Sequence, residues 1–341
     1  MNDKANHDVR GPAHHGRWKV WLRQSLKLLI SVGLFAILIR AVDWRGVRGI
    51  LIKADPQLLA VAMLALATAV LLAAWRWSLC ASASGIALPR GFYVRATYAA
   101  TFIGQVLPAG VGVDAVRLAY FMHGRARLAR ALQALLLDRM VGIAAVIVVM
   151  AAGLPLMWNR LPLALKLLSM VLMAGLLGGC GVLWLFAKLP FIVNFRGEGR
   201  RRKLIDLLLS VRDSVLSKDA LYAFLVSMIF YSVSIAGVRW FAAALGLDVP
   251  YLLLLAIVAM AIFLSLMPIS LNGWGVREGA MVVGLSALSV SRESALAISL
   301  LYGAGSAVAT LPGAFIWAMR RRHVDDGAEA RPETESIWRK R

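Results

Sequence analysis

Two apolar runs in this chain are interrupted in the same way. LPAGVGVDAVR (Leu107–Arg117) recurs as MPISLNGWGVR (Met267–Arg277), with the Pro and the Arg of each copy displaced by 160 positions. Each copy places a Pro, glycines and charge inside sequence that is otherwise compatible with lipid. The echo extends upstream. Arg76-Trp77 followed by Gly85-Ile86-Ala87-Leu88-Pro89 is answered by Arg239-Trp240 followed by Gly246-Leu247-Asp248-Val249-Pro250. Paired broken segments in corresponding halves point to the substrate site of a transporter.

The surrounding sequence sets the environment of these breaks. Of 341 residues 60% are hydrophobic and 16% charged, whereas about a quarter are charged in a soluble domain. Apolar stretches of the roughly 20 residues needed to cross a bilayer recur along the chain. The expected fold is therefore an all-α polytopic membrane protein. Six full spans are expected at about 23–42, 58–79, 131–157, 163–187, 220–245 and 294–319. Two segments do not fit as spans, 92–122 (split from Pro108 to Gly112) and 251–288 (split from Pro268 to Gly275). In the first, Phe92–Leu107 has 16 residues and Val113–Met122 has 10, both short of a crossing. Both segments read as re-entrant helical hairpins, since irregular backbone at that depth survives only when covered by protein or lining a wet cavity.

The net charge of +20 raises nucleic acid as a partner, but its distribution argues against one. Lys and Arg number six in residues 1–27, eight in 188–219 and seven in 320–341. Across 43–57, 159–162, 246–250 and 287–293 they number three, one, none and one. Under the positive-inside rule both termini are cytoplasmic. The first hairpin then opens from the cytoplasmic side and the second from the outer side. The expected organisation is a basic tail (1–22), a first half (23–162) with hairpin 92–122, a second half (163–319) with the basic segment 188–219 and hairpin 251–288, and a basic tail (320–341). The halves are inverted relative to each other. Residues 196–218 carry apolar positions at helical spacing behind a basic cluster, an interfacial amphipathic helix. Gly175 and Gly179 have the spacing of close helix packing.

Chemistry is expected at the charges held at membrane depth, which cost about 2.5–3.5 kcal/mol each and are rarely idle. They are Asp114 and Arg117 in the first break, Asp138 and Arg139 in the third span, and Arg277 and Glu278 in the second break. Three acids and three arginines sum to zero, so internal pairing limits the cost. Arginine also suits phosphate, because its planar fork holds two oxygens at once, and half-helix N-termini beside the breaks add N–H donors. The expected substrate site is Asp114, Arg117, Asp138, Arg139, Asn272, Trp274, Arg277 and Glu278, receiving an anionic lipid headgroup. The alternative is that Asp114–Arg117 and Arg277–Glu278 pair locally and brace the hairpins. Pro108 and Pro268 end the first half-helices. Gly110, Gly112, Gly273 and Gly275 allow tight turns or close approach. Asn272 and Trp274 either touch ligand or brace the turn. Arg76-Trp77 and Arg239-Trp240 lie near span ends, where snorkelling and an aromatic belt explain them.

Other chemistry has little support. There is no H-E-x-x-H, P-loop or G-x-S-x-G motif, no metal-ligand spacing among the five histidines, and no disulfide framework in Cys80 and Cys180. No cofactor, no metal and no catalytic residue are assigned. The basic N-terminal segment lacks a cleavage pattern, so the first span is expected to be retained.

At LPAGVGVDAVR, at the DRMVG that opens the third span, and at LMPISLNGWGVRE, the chain resembles the flippase-like family that includes the transmembrane domain of lysylphosphatidylglycerol synthases. The likeness covers nearly the whole chain. Glu-Arg is common in that family where Asp138-Arg139 stands here. The resemblance implies movement of lipid between the leaflets of a bacterial inner membrane. Bifunctional relatives carry a cytosolic aminoacyl-transferase domain after the membrane part; only 22 residues follow Met319 here, so lysyl transfer is not expected. Two other readings remain: an intramembrane lipid-modifying enzyme using Asp114 or Asp138 as acid/base, and a non-transporting partner of a lipid or envelope synthase. The sequence leaves the oligomeric state open.

Overall fold

The computed structural model describes residues 44–105, 111–188, 209–267 and 273–319. These are helical throughout, with no strand among them. In chain order the helices are α1 (Trp44–Ile52), α2 (Pro56–Ala83), α3 (Arg90–Gly104), α4 (Val111–His123), α5 (Leu128–Met157), α6 (Leu163–Lys188), α7 (Lys218–Ala244), α8 (Tyr251–Leu266), α9 (Val276–Ser286) and α10 (Arg292–Ala309). Four segments are long and apolar enough to cross a membrane: Pro56–Ala83, Leu128–Met157, Lys218–Ala244 and Arg292–Met319. They contain the spans expected at 58–79, 131–157 and 294–319, and all but the last residue of that expected at 220–245. The span expected at 163–187 is helical as α6, of which Leu163–Gly179 is an apolar helix below that length. The span at 23–42, both tails and residues 196–208 of the expected interfacial helix lie outside the described residues; 209–215 are helical.

Local chemistry starts and stops these helices where the sequence changes character. Asp55 caps α2, its Oδ1 accepting from the N–H of Gln57 at 2.8 Å, with Pro56 at the first helical position where its missing donor costs nothing. Ser217 and Ser291 cap α7 and α10 in the same manner. The fourth long segment is interrupted. α10 ends at Ala309, residues 310–311 form a turn, and 312–319 resume as helix, because Pro312 has no N–H for the ladder. Gly313 there lies so close to the Tyr98 carbonyl of α3 that a Cβ would clash with it.

Each of the two broken segments holds a pair of short helices, α3 with α4 and α8 with α9, packed against each other. At 15, 13, 16 and 11 residues their lengths are about 16–24 Å at 1.5 Å per residue, short of a hydrocarbon core of about 30 Å. Glycine permits the close approach within each: a Cβ on Gly104 would collide with Val113, and one on Gly284 would lie 2.5 Å from Ile257 Cγ2. The segments that lead into the hairpins have matching geometry. Gly85 (φ 73°) and Gly246 (φ 76°) end α2 and α7. The following residue bonds back in each case, Ile86 N to Ala81 O at 2.9 Å and Leu247 N to Ala242 O at 3.0 Å. Pro89 and Pro250 then open the first arms. The upstream echo in sequence is thus an echo in backbone conformation.

α2 and α7 lie along one another, α5 packs on α8 and α7, and α10 contacts α1, α2, α7 and α9. The main apolar core joins α5, α7, α8, α9 and α10. A second, aromatic cluster of Trp77, Tyr93, Tyr120 and Phe121, with Phe92 against it, fills the first hairpin. The α5–α8 contact depends on Gly153, where a Cβ would stand 2.6 Å from both the Leu252 carbonyl and the Ala256 nitrogen. Backbone cannot yield as a side chain does, so Gly153→Leu is expected to cost roughly 3 kcal/mol or more, read as a fall in the thermal unfolding midpoint in detergent. Gly175→Leu is the control, since no atom lies within 4 Å of a Cβ there. The same is true at Gly179, so the close packing expected of these two glycines is not found among the described residues.

Candidate functional site

Four of the six charges singled out in the sequence, Arg117, Asp138, Arg139 and Arg277, line one cavity of about 240 Å³, and Arg76 joins them. Arg76 from α2, Arg117 from α4, Asp138 and Arg139 from α5, and Arg277 from α9 line it, together with Tyr231, Tyr302 and Ser265. Residues of both broken segments contribute to the lining.

Asp138, 4% exposed, is the hub. Arg76 grips it with both ends of its fork, Nε to Oδ1 at 2.8 Å and Nη2 to Oδ2 at 3.0 Å. Arg117 adds a single bond, Nη1 to Oδ2 at 3.0 Å. Its Nε is buried and has no partner among the described residues, while its guanidinium lies over Trp77 at 4.9 Å. Arg139 turns the other way and bonds Asp114 at 2.8 Å, both half-buried. The local Asp114–Arg117 pairing considered from sequence is therefore replaced by crossed pairs between α4 and α5. Adjacent helical residues point about 100° apart, so Asp138 and Arg139 serve different partners.

The second hairpin pairs locally, as its alternative reading held. Arg277 bonds the wholly buried Glu278 through Nε at 3.0 Å and through Nη2. Glu278 also accepts the N–H of Gly275. That carboxylate sits at the N-terminus of α9 and takes up one of the backbone donors expected there. The Arg277 guanidinium lies between Trp274 at 4.9 Å and Tyr302 at 5.4 Å. Trp274 thus braces an arginine. Gly273 and Gly275, at φ 76° and 84°, make the turn, and Gly273 also packs on Ser265 where a Cβ would collide. Gly112 is already helical and buried rather than part of the break. Pro108, Gly110, Pro268 and Asn272 lie outside the described residues.

Sequence reasoning misplaced Arg76. It is 9% exposed and holds both carboxylate oxygens of Asp138. The expected span ended at residue 79, whereas α2 continues to Ala83, which sets Arg76 about two turns inside the helix end. Its echo Arg239 does behave as expected: its side chain is 36% exposed and meets Asp248 at 3.3 Å. With Arg76 included, the site holds four arginines and three acids. The expected neutrality becomes a surplus of one positive charge.

Two further glycines make room for the arginines. A Cβ on Gly142 would lie 3.3 Å from Arg76 Nη1 and 3.5 Å from the Tyr231 hydroxyl. A Cβ on Gly303 would collide with Arg277 and meet Trp274 at 3.1 Å. Gly142 is the last residue of DRMVG, which gives that motif a physical reason: acid and glycine one helical turn apart on α5 hold Arg76 between them. Gly303 occupies a similar place on α10, one position off the displacement that relates the two breaks.

Long apolar helices around an enclosed cluster of paired charges define a multi-pass membrane protein with its chemistry inside the bundle. The chain belongs to the lysylphosphatidylglycerol synthase TM region family, whose model matches residues 24–313. Comparison with individual curated proteins found no match. Membership links the protein to lipid metabolism or transport.

Proposed function

We propose that this protein moves a lipid between the two leaflets of a bacterial inner membrane, with the headgroup phosphate received among Arg117, Arg76 and Arg277. The observation that carries this reading is a partly open cavity lined from both broken segments, whose four arginines outnumber by one the three acids they pair with. Burying an unneutralised charge is expensive, and an anion entering the cavity removes that cost. Arginine forks recognise phosphate oxygens in pairs, and Arg117 retains a buried donor without a partner.

The two hairpins enter from opposite faces in this reading, with both termini cytoplasmic, so that rocking of one half against the other exposes the cavity to each leaflet in turn. A lipid-modifying reading has less support. Asp138 already accepts three hydrogen bonds from two guanidinium groups, which suits a structural anion better than a base that must take up a proton. The absence of a nucleotide-binding motif points to an ion gradient or downhill movement.

The test is leaflet exchange of fluorescent phosphatidylglycerol in proteoliposomes, read by dithionite quenching of the outer leaflet. Purified protein is expected to raise exchange at least about tenfold over protein-free vesicles, a change of about 1.4 kcal/mol in the barrier. Exchange at the protein-free rate contradicts the proposal.

A further inference from the structure

The arrangement of charge inside the cavity says which headgroups it accepts. Every acid at the site is already engaged: Asp138 by Arg76 and Arg117, Asp114 by Arg139, and Glu278 by Arg277 and the Gly275 N–H. No described carboxylate of the cavity is left to receive an ammonium group. The two breaks themselves add no charge, since residues 106–110 read VLPAG and 268–272 read PISLN. One positive charge remains, and its least engaged donors lie on Arg117, which gives Asp138 one bond where Arg76 gives two and whose buried Nε has no partner among the described residues.

From this we infer that the cavity selects a phosphodiester headgroup bearing a single negative charge and no amine. A monoanion brings the site to neutrality. A phosphomonoester, with a charge near −2 above its second pKa of about 6, overshoots it. An amine-bearing headgroup brings a cation into a low-dielectric site whose acids are all occupied, at a cost of the order of a buried charge. The inference rests on the lipid-handling reading, and it separates this chain from an aminoacylated lipid of the kind that the family's name contains.

Binding separates this inference from translocation. Purified full-length protein in detergent is titrated, at pH 8.5, with phosphatidylglycerol, phosphatidylethanolamine, lysyl-phosphatidylglycerol and phosphatidic acid of identical acyl chains, and affinities are read by native mass spectrometry. Phosphatidylglycerol is expected to bind at least about tenfold more tightly than each of the others. Wild-type protein that binds any of the other three as tightly overturns the inference. Arg139→Gln provides the second arm: it removes the partner of the half-buried Asp114 while leaving every hydrogen bond to Asp138 in place, and is expected to narrow the preference over the two amine-bearing lipids at least about threefold. An unchanged preference overturns the role given to the occupied acids. Selective binding without leaflet exchange would defeat the transport reading alone, and exchange without selectivity would defeat this inference alone.

Discussion

Asp138→Leu is expected to leave little folded protein. The substitution removes the one carboxylate that two buried arginines share and strands Arg76 and Arg117, 9% and 5% exposed, beside each other. Breaking a buried pair from one side costs about 3–5 kcal/mol, against a total stability of about 5–15 kcal/mol for a typical domain. The double variant Arg76→Leu/Asp138→Leu isolates the cause. It removes a bidentate pair as a unit, restores the surplus to one positive charge and returns only Arg117 to the cavity unpaired. Its monodisperse fraction by size exclusion and its unfolding midpoint are expected to exceed those of the single variant clearly. Equal behaviour of the two, or a single variant as stable as the parent, contradicts the placement of Asp138 at the hub.

Arg277→Lys is expected to spare the fold and impair function strongly. Lysine keeps the charge that Glu278, fully buried, requires. It loses the flat surface that stacks between Trp274 and Tyr302 and the fork that bonds Glu278 while presenting a further N–H edge. A charge-assisted hydrogen bond contributes about 1.5–3 kcal/mol. Phosphatidylglycerol exchange is therefore expected to fall about tenfold to a hundredfold with the unfolding midpoint little changed. Parental exchange in a well-folded Arg277→Lys protein removes Arg277 from the site.

Much of this architecture was legible in the chain because membrane solvation leaves few alternatives. A break of Pro and glycine in an apolar run must be covered by protein, and the short arms on either side follow from counting residues against a bilayer. Arg117, Asp138, Arg139, Arg277 and Glu278 stood out for the same reason, since charge at depth needs an explanation. What sequence left hidden was partnership. Asp114 and Arg117 lie three apart on one helix and look like a pair, yet each finds its partner on α5, because α4 touches that helix at these positions and contacts across it compete with contacts along it. Arg76 was hidden by four residues of helix: whether an arginine snorkels or turns inward depends on where its helix ends, and helix ends are the least certain feature of an apolar run. Gly142 and Gly303 carry no signal of their own. Their role appears only once the arginine that fills the missing Cβ is in view, and the likeness of their spacing to that of the breaks was the one available clue.

The central claim is that a lipid headgroup occupies the cavity between the hairpins. A photoreactive benzoylphenylalanine at Ile143, which lines that cavity, tests it in the full-length protein in native membranes. Irradiation followed by intact-mass measurement is expected to show a covalent phospholipid adduct, strongly reduced when Arg117→Lys is added. The same probe at Leu64, 68% exposed on the outer surface of α2, reports contact with bulk lipid. An adduct at Leu64 with none at Ile143 would contradict the account.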